Sequence, residues 1–166
     1  MVIRHLLSIA ALPFVVVVAV PVWLARRNGI TLAVGASALP LLTQLAGLLL
    51  LGVGLVLFVS SLRRFATEGA GTLAPWDPPR NLVLHGPYRY VRNPMISSVV
   101  FMLFGEALVL RSEPQLQWAL IFLAANLVHI PFIEEPQLER RFGAVYDEYR
   151  RNVPRLLPRL RPWRPT

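Results

Sequence analysis

The sequence predicts an all-α protein: a polytopic membrane helical bundle of about four transmembrane helices, followed by a C-terminal amphipathic surface helix. Three observations predict it. Of 166 residues, 55% are hydrophobic and the mean hydropathy is +0.53. That is too apolar for a soluble domain of this size, so apolar surface must face lipid. Apolar runs recur at roughly 20 residues, enough to cross a ~30 Å hydrocarbon core. Arginines gather where those runs stop. The length suits a single domain over 1–166. Residues 1–64 supply two N-terminal spans, and 65–166 a polar loop, a helical hairpin and a C-terminal helix.

The first run, 6–25, follows Arg4 and His5 and ends at Arg26-Arg27. It is longer than a signal-peptide core and lacks a clear small-x-small cleavage site, so it is taken as a span. Pro13 and Pro21 are expected to kink it. Residues 30–39 are a mildly apolar lead-in. The second span, 41–62, is leucine-rich, and Gly47, Gly52 and Gly54 offer a face that another helix can approach closely. Arg63-Arg64 is expected to stop it. Residues 65–81 carry Gly69, Gly71, Pro75, Pro78 and Pro79, which exclude a regular helix. With Trp76 as an interfacial anchor, this loop either covers a ligand or connects two spans.

Asn93 is placed as the N-cap of the third span and Pro94 at its first helical position. That span runs over 95–110, with Glu106 toward its far end. Arg111-Ser112-Glu113-Pro114 is a tight turn, and the fourth span, 115–133, completes a helical hairpin. Asn126 and His129, three apart, share one of its faces. Intramembrane Glu106 and His129 are read either as site residues or as hydrogen-bonded packing residues. From 137 to 151 the apolar positions Leu138, Phe142, Val145, Tyr146 and Tyr149 follow helical spacing, with charges opposite. This predicts one amphipathic helix, at the membrane surface or packed on the loop. The basic, proline-broken tail after Val153 is expected along lipid headgroups.

Net charge is +8, and all 17 basic residues are arginine. In so apolar a chain this excess points to anionic lipid headgroups as partner and not to nucleic acid. With no cysteine, disulfides and thiolate metal sites are excluded. Four spans put both termini and the central polar segment on one side. That side holds every arginine except Arg26, Arg27 and Arg111, so it is cytoplasmic.

Two polar knots interrupt the apolar pattern. One is Leu-Val-Leu-His-Gly-Pro-Tyr-Arg-Tyr-Val-Arg-Asn-Pro at 82–94; the other is Glu134-Glu135-Pro136. Polar clusters beside membrane spans mark functional sites. No pair among His85, His129, Glu134 and Glu135 has a recognised metal spacing, so no metal is assigned. Neither G-x-S-x-G nor a strand-borne G-x-G-x-x-G occurs. What remains is a small-molecule site. Its carboxylates suit ribose hydroxyls or a cationic centre, its arginines a carboxylate or phosphate, and backbone N–H groups near Gly86 an adenine edge. S-adenosylmethionine carries all of these groups. The competing reading is that these charges merely snorkel to headgroups.

The run from His85 to Pro94, followed about forty residues later by Glu134-Glu135, Phe142-Gly143, Tyr146, Tyr149 and Val153-Pro154, resembles the isoprenylcysteine carboxyl methyltransferase and phospholipid N-methyltransferase family. These are integral membrane methyltransferases. The resemblance covers 69–161 and implies S-adenosylmethionine as cofactor. It implies cofactor contacts at Leu82, Val83, His85, Tyr88, Asn93, Pro94, Ile96, Glu134 and Glu135, with Gly86 shaping the turn. It implies catalytic roles for Glu134, Arg89 and Arg92. The family's Arg-His-Pro-x-Tyr is Arg92-Asn93-Pro94-Met95-Ile96 here, so Ile96 stands where a tyrosyl hydroxyl is usual. The arginine that protein carboxyl methyltransferases carry one turn before the glutamate pair is absent; His129-Ile130-Pro131 occupies that stretch.

The resulting expectation is methyl transfer to a lipophilic small molecule, through a carboxylate or amine of a lipid-like or isoprenoid acceptor. The protein would sit in a bacterial inner membrane with its site cytoplasmic. An NADPH-dependent reductase of the sterol-reductase type and a non-enzymatic binder of anionic lipid are the rival readings. The sequence does not set the oligomeric state.

Overall fold

The structure is a computed structural model and describes residues 12–35, 37–68 and 81–164. All regular structure among these residues is helical. A π-helical turn, Val15–Ala19, leads into α1 (Val20–Arg27). Then come α2 (Ala38–Glu68), a 3-10 turn (Gly86–Arg89) and α3 (Pro94–Leu110). A second π-helical turn, Ile130–Glu134, joins α4 (Glu113–His129) to α5 (Glu135–Phe142), and α6 (Ala144–Asn152) follows.

Among the described residues, two helical runs are long and apolar enough to cross a membrane: α2, with 31 residues, and Glu113–Phe142, with 30. At 1.5 Å per residue each is about 45 Å long, more than a hydrocarbon core needs. The third predicted span, α3, is apolar but only 17 residues long. The first is helical over 12–27, and its start lies outside the described residues, as do 69–80 of the loop and Trp76.

Two predicted elements differ in extent. The helix does not end with the span at Arg63-Arg64; α2 runs one more turn to Glu68, where Arg64 Nη1 meets Glu68 Oε1 at 2.9 Å, four residues apart. The single amphipathic helix over 137–151 is two helices, α5 and α6. Gly143 parts them at φ +53°, a conformation that other residues rarely adopt. The tail after Val153 is hydrogen-bonded to the 89–97 segment.

Both π-helical turns have a cause in proline. Val20 N–H reaches back to Val15, and Pro21 has no N–H to give, so the Val16 carbonyl is freed. Trp118 Nε1 donates to it at 3.0 Å. Pro131 and Pro136 lie five residues apart around the second turn, and Glu135 N–H bonds the Ile130 carbonyl. The wider turn re-aims the carboxylates that follow it.

The chain forms two compact units, Met1–Val56 with Ser98–Leu123 and Leu57–Ser97 with Ala124–Thr166. In the first, Gly47 and Gly105 approach backbone to backbone. A Cβ on Gly47 would lie 2.7 Å from the Gly105 carbonyl oxygen, and one on Gly105 2.8 Å from that of Gly47. Gly54 lies against α3 in the same way, whereas a Cβ on Gly52 would meet nothing. Gln44 Nε2 donates to the Ala33 and Val109 carbonyls, and Gln115 Nε2 to that of Pro21. Outward, Leu41, Leu42, Leu45, Leu48, Leu49 and Val56 are exposed, a surface suited to lipid. In the second unit Tyr146, Tyr149, Val153 and Trp163 form a core on which Leu82, Leu84, Leu138 and Phe142 pack.

Candidate functional site

The site is built inside the second unit, where both polar knots lie. His85 is extended, and Gly86 turns the chain at φ +60°. Arg64 packs behind that turn: a Cβ on Gly86 would sit 3.1 Å from Arg64 Cγ and Nε. Pro87 then sets the 3-10 turn, closed by Tyr90 N–H on the Pro87 carbonyl at 2.9 Å. The N–H groups of residues 82–86 donate to no acceptor among the described residues. Val91 and Pro94 are fully buried and fix the far end of the segment. The Asn93 carbonyl accepts the first helical bond of α3, from Ser97 N–H at 2.9 Å, as its N-cap placement requires.

The two knots meet. Arg92 Nη1 lies 2.9 Å from Glu135 Oε1, with side chains 8% and 6% exposed. Glu135 also takes a two-pronged pair from Arg155, Nε to Oε1 at 2.7 Å and Nη2 to Oε2 at 3.0 Å. Arg92 Nη1 reaches the Tyr146 hydroxyl at 3.4 Å, while Arg92 Nε is buried with no hydrogen-bond partner among the described residues. Glu134 is different. It is half-buried and makes no hydrogen bond or ion pair among the described residues, although Arg92, Glu135 and Tyr88 are near enough for their charges to interact.

Three tyrosines frame the carboxylates. Burial, and then the charges of Glu134 and Glu68, push the Tyr88 hydroxyl well above its ordinary pKa. Tyr149 is pushed up by burial and donates from its hydroxyl to the Tyr88 carbonyl at 2.7 Å. Tyr146 is raised by burial and by Glu135. All three are therefore neutral at physiological pH. The hydrogen bond to Glu135 pushes the Arg155 guanidinium up, so it stays charged.

The sequence-predicted residues divide by surroundings. Tyr88, Arg92, Glu134 and Glu135 converge. Val83 is buried, Leu82 half-buried against the tyrosine core, and Ile96 half-buried in the first turn of α3. Asn93 Nδ2 donates to the Arg155 carbonyl at 3.4 Å. Arg89 Nε donates to the Trp163 carbonyl at 2.6 Å, so it holds the tail. His85 Nδ1 lies 3.0 Å from Glu68 Oε2 at an exposed position. His129 is exposed, and Glu106 belongs to the first unit, its Oε2 buried with no hydrogen-bond partner among the described residues. Glu68, Arg155 and Trp163 went unnoticed in the sequence. One signal was available for Arg155: a buried Glu135 needs cationic partners, and Val153-Pro154 forces an extended approach beside it.

A family model described as phospholipid methyltransferase matches residues 42–145. Over 73 residues, 44% of this chain, the sequence is 41% identical to methanethiol S-methyltransferase 2 of Bradyrhizobium diazoefficiens. The match spans 27% of that relative's length. No solved structure matches the chain.

Proposed function

Because the chain belongs to the phospholipid methyltransferase family, we propose that it transfers a methyl group from S-adenosylmethionine to a lipophilic acceptor. The proposal places it as a four-span bundle in a bacterial inner membrane, with the site facing the cytoplasm. The observation that carries it is the closure of the two polar knots on each other through Arg92 and Glu135, at 2.9 Å. That closure leaves Glu134 as the carboxylate without an ion pair among the described residues, and the N–H groups of 82–86 without an acceptor among them.

The residues present suit the cofactor. Glu134 is assigned to its cationic end, and the backbone of Leu82, Val83 and Gly86, with Tyr88 and Asn93, to its nucleoside. When bound, S-adenosylmethionine supplies a methyl group made electrophilic by its sulfonium. The protein's own part is positioning and exclusion of water. Neutral Tyr88 and buried Val91 and Pro94 form a dry wall. For an amine acceptor Glu134 Oε takes the proton that the acceptor loses. The acceptor enters from the bilayer, past the exposed apolar flanks of α2 and α4.

Calorimetry of the purified protein in micelles with S-adenosylhomocysteine tests the reading. Saturable binding is expected, with a flat titration for NADPH; saturation by NADPH and none by S-adenosylhomocysteine overturns it. Incubating lipid extracts with labelled methyl donor, followed by mass spectrometry, then identifies the acceptor.

A further inference from the structure

We infer that Arg155, ten residues beyond the matched family region, is a positioning residue that keeps Glu134 free for its ligand by holding Glu135 and, through it, Arg92. The inference rests on the cofactor reading given above. Arg155 engages the site twice. Its backbone carbonyl accepts Asn93 N–H at 3.1 Å, directly ahead of α3, and its guanidinium forks onto Glu135 at the start of α5. It therefore bridges the two sequence segments from which the site is made.

The charges explain why the bridge matters. Glu134 and Glu135 are adjacent carboxylates, and Arg92 is the buried cation beside both. With Arg92 alone, two anions compete for one guanidinium. With Arg155, the four side chains balance, Glu135 takes both arginines, and Glu134 is left without an ion pair. Planar two-pronged geometry fixes the Glu135 rotamer, which a single lysine contact does less well. Losing Arg155 lets Arg92 swing to Glu134 and occupy the place of a cationic ligand.

The tail does not depend on this side chain for docking. Arg92 N–H bonds the Pro154 carbonyl at 2.8 Å, Arg159 N–H that of Tyr90 at 3.0 Å, and Trp163 N–H that of Arg89 at 2.9 Å. Arg155→Gln is therefore expected to fold.

The test measures S-adenosylhomocysteine affinity, and KM and kcat for S-adenosylmethionine, in the wild-type protein and in Arg155→Gln, Arg155→Lys, Glu135→Gln and the double variant Glu135→Gln/Arg155→Gln. Arg155→Gln is expected to raise KM and Kd on the order of tenfold while kcat falls less than about threefold. Arg155→Lys recovers part of the loss. Glu135→Gln reproduces the rise, and the double variant is no worse than either single one. A purely structural role lowers the folded fraction and kcat while leaving KM alone; that result, or additive losses in the double variant, overturns the inference. If Arg155→Gln fails to fold, the same decision falls to Arg155→Lys and Glu135→Gln, with an unchanged KM in both overturning it. Wild-type protein that binds no S-adenosylhomocysteine overturns the cofactor reading itself, and the inference with it.

Discussion

The two units of the molecule are specified by different physics. In the first, Gly47 and Gly105 bring two helix backbones together, and polar side chains such as Gln44 and Trp118 serve carbonyls that a proline, a helix end or a connecting segment leaves free. In the second, a partly buried cluster of two carboxylates and two arginines is framed by neutral tyrosines and tied down by the tail. Close packing without charge suits a segment surrounded by hydrocarbon, where van der Waals contact is the main source of helix association. Buried charge specifies geometry at a cost, and is retained where geometry matters.

Substitutions break this contrast in graded fashion. Glu135→Ala is expected to have the largest effect. It strips Arg92, 8% exposed, of its Glu135 ion pair and leaves Glu134 as the carboxylate it can turn to; breaking such a pair costs about 3 kcal/mol, the low end because Arg155 is a third exposed. Thermal melting in micelles reads the loss. Glu134→Gln comes next and is its opposite. It removes no ion pair among the described residues, so the melting temperature stays within a degree or two. Turnover falls on the order of 100-fold and S-adenosylhomocysteine affinity drops with it. Wild-type turnover in Glu134→Gln would remove the carboxylate from the mechanism. Gly105→Leu reverses the pattern in the other unit. Its side chain has no room against the Gly47 carbonyl, so stability falls by about 1–3 kcal/mol while affinity of the folded fraction is unchanged. Tyr149→Phe removes one buried hydrogen bond to the Tyr88 carbonyl, worth about 1 kcal/mol, and loosens the wall behind Tyr88.

The same contrast explains what was legible in the sequence. Helix formation and the glycine contacts of the first unit follow from local pattern, because length, hydropathy and residue size decide them. The meeting of Arg92 with Glu135 was legible only as a meeting of two polar knots. Which carboxylate is paired and which is free depends on a proline-driven π-helical turn, and a 3.6-residue period misaims both. Arg155 and Trp163 were legible only as part of a basic, proline-broken tail. Their partners lie more than sixty positions away or on another helix, beyond any periodicity. α2 outruns the predicted span because arginines that end an apolar run also make good helix once the chain has left the hydrocarbon.

The smallest effect distinguishes a latch from a ligand. His85 is a candidate cofactor residue by sequence, yet its imidazole is 69% exposed and sits 3.0 Å from Glu68 at the end of α2. With the imidazole protonated, such an exposed ion pair is worth about 0–1 kcal/mol and is screened by salt. If latching is its whole role, His85→Ala weakens S-adenosylhomocysteine binding less than about fivefold. Glu68→Gln should then match it, and raising the salt concentration should shrink both effects, since the wild type has then lost the pair as well. A contact with the cofactor behaves otherwise: His85→Ala loses more than Glu68→Gln, and the difference persists in high salt. Calorimetry of the two variants at two salt concentrations separates these outcomes, and the geometry favours the latch, because Nδ1 of His85 is already engaged with Glu68.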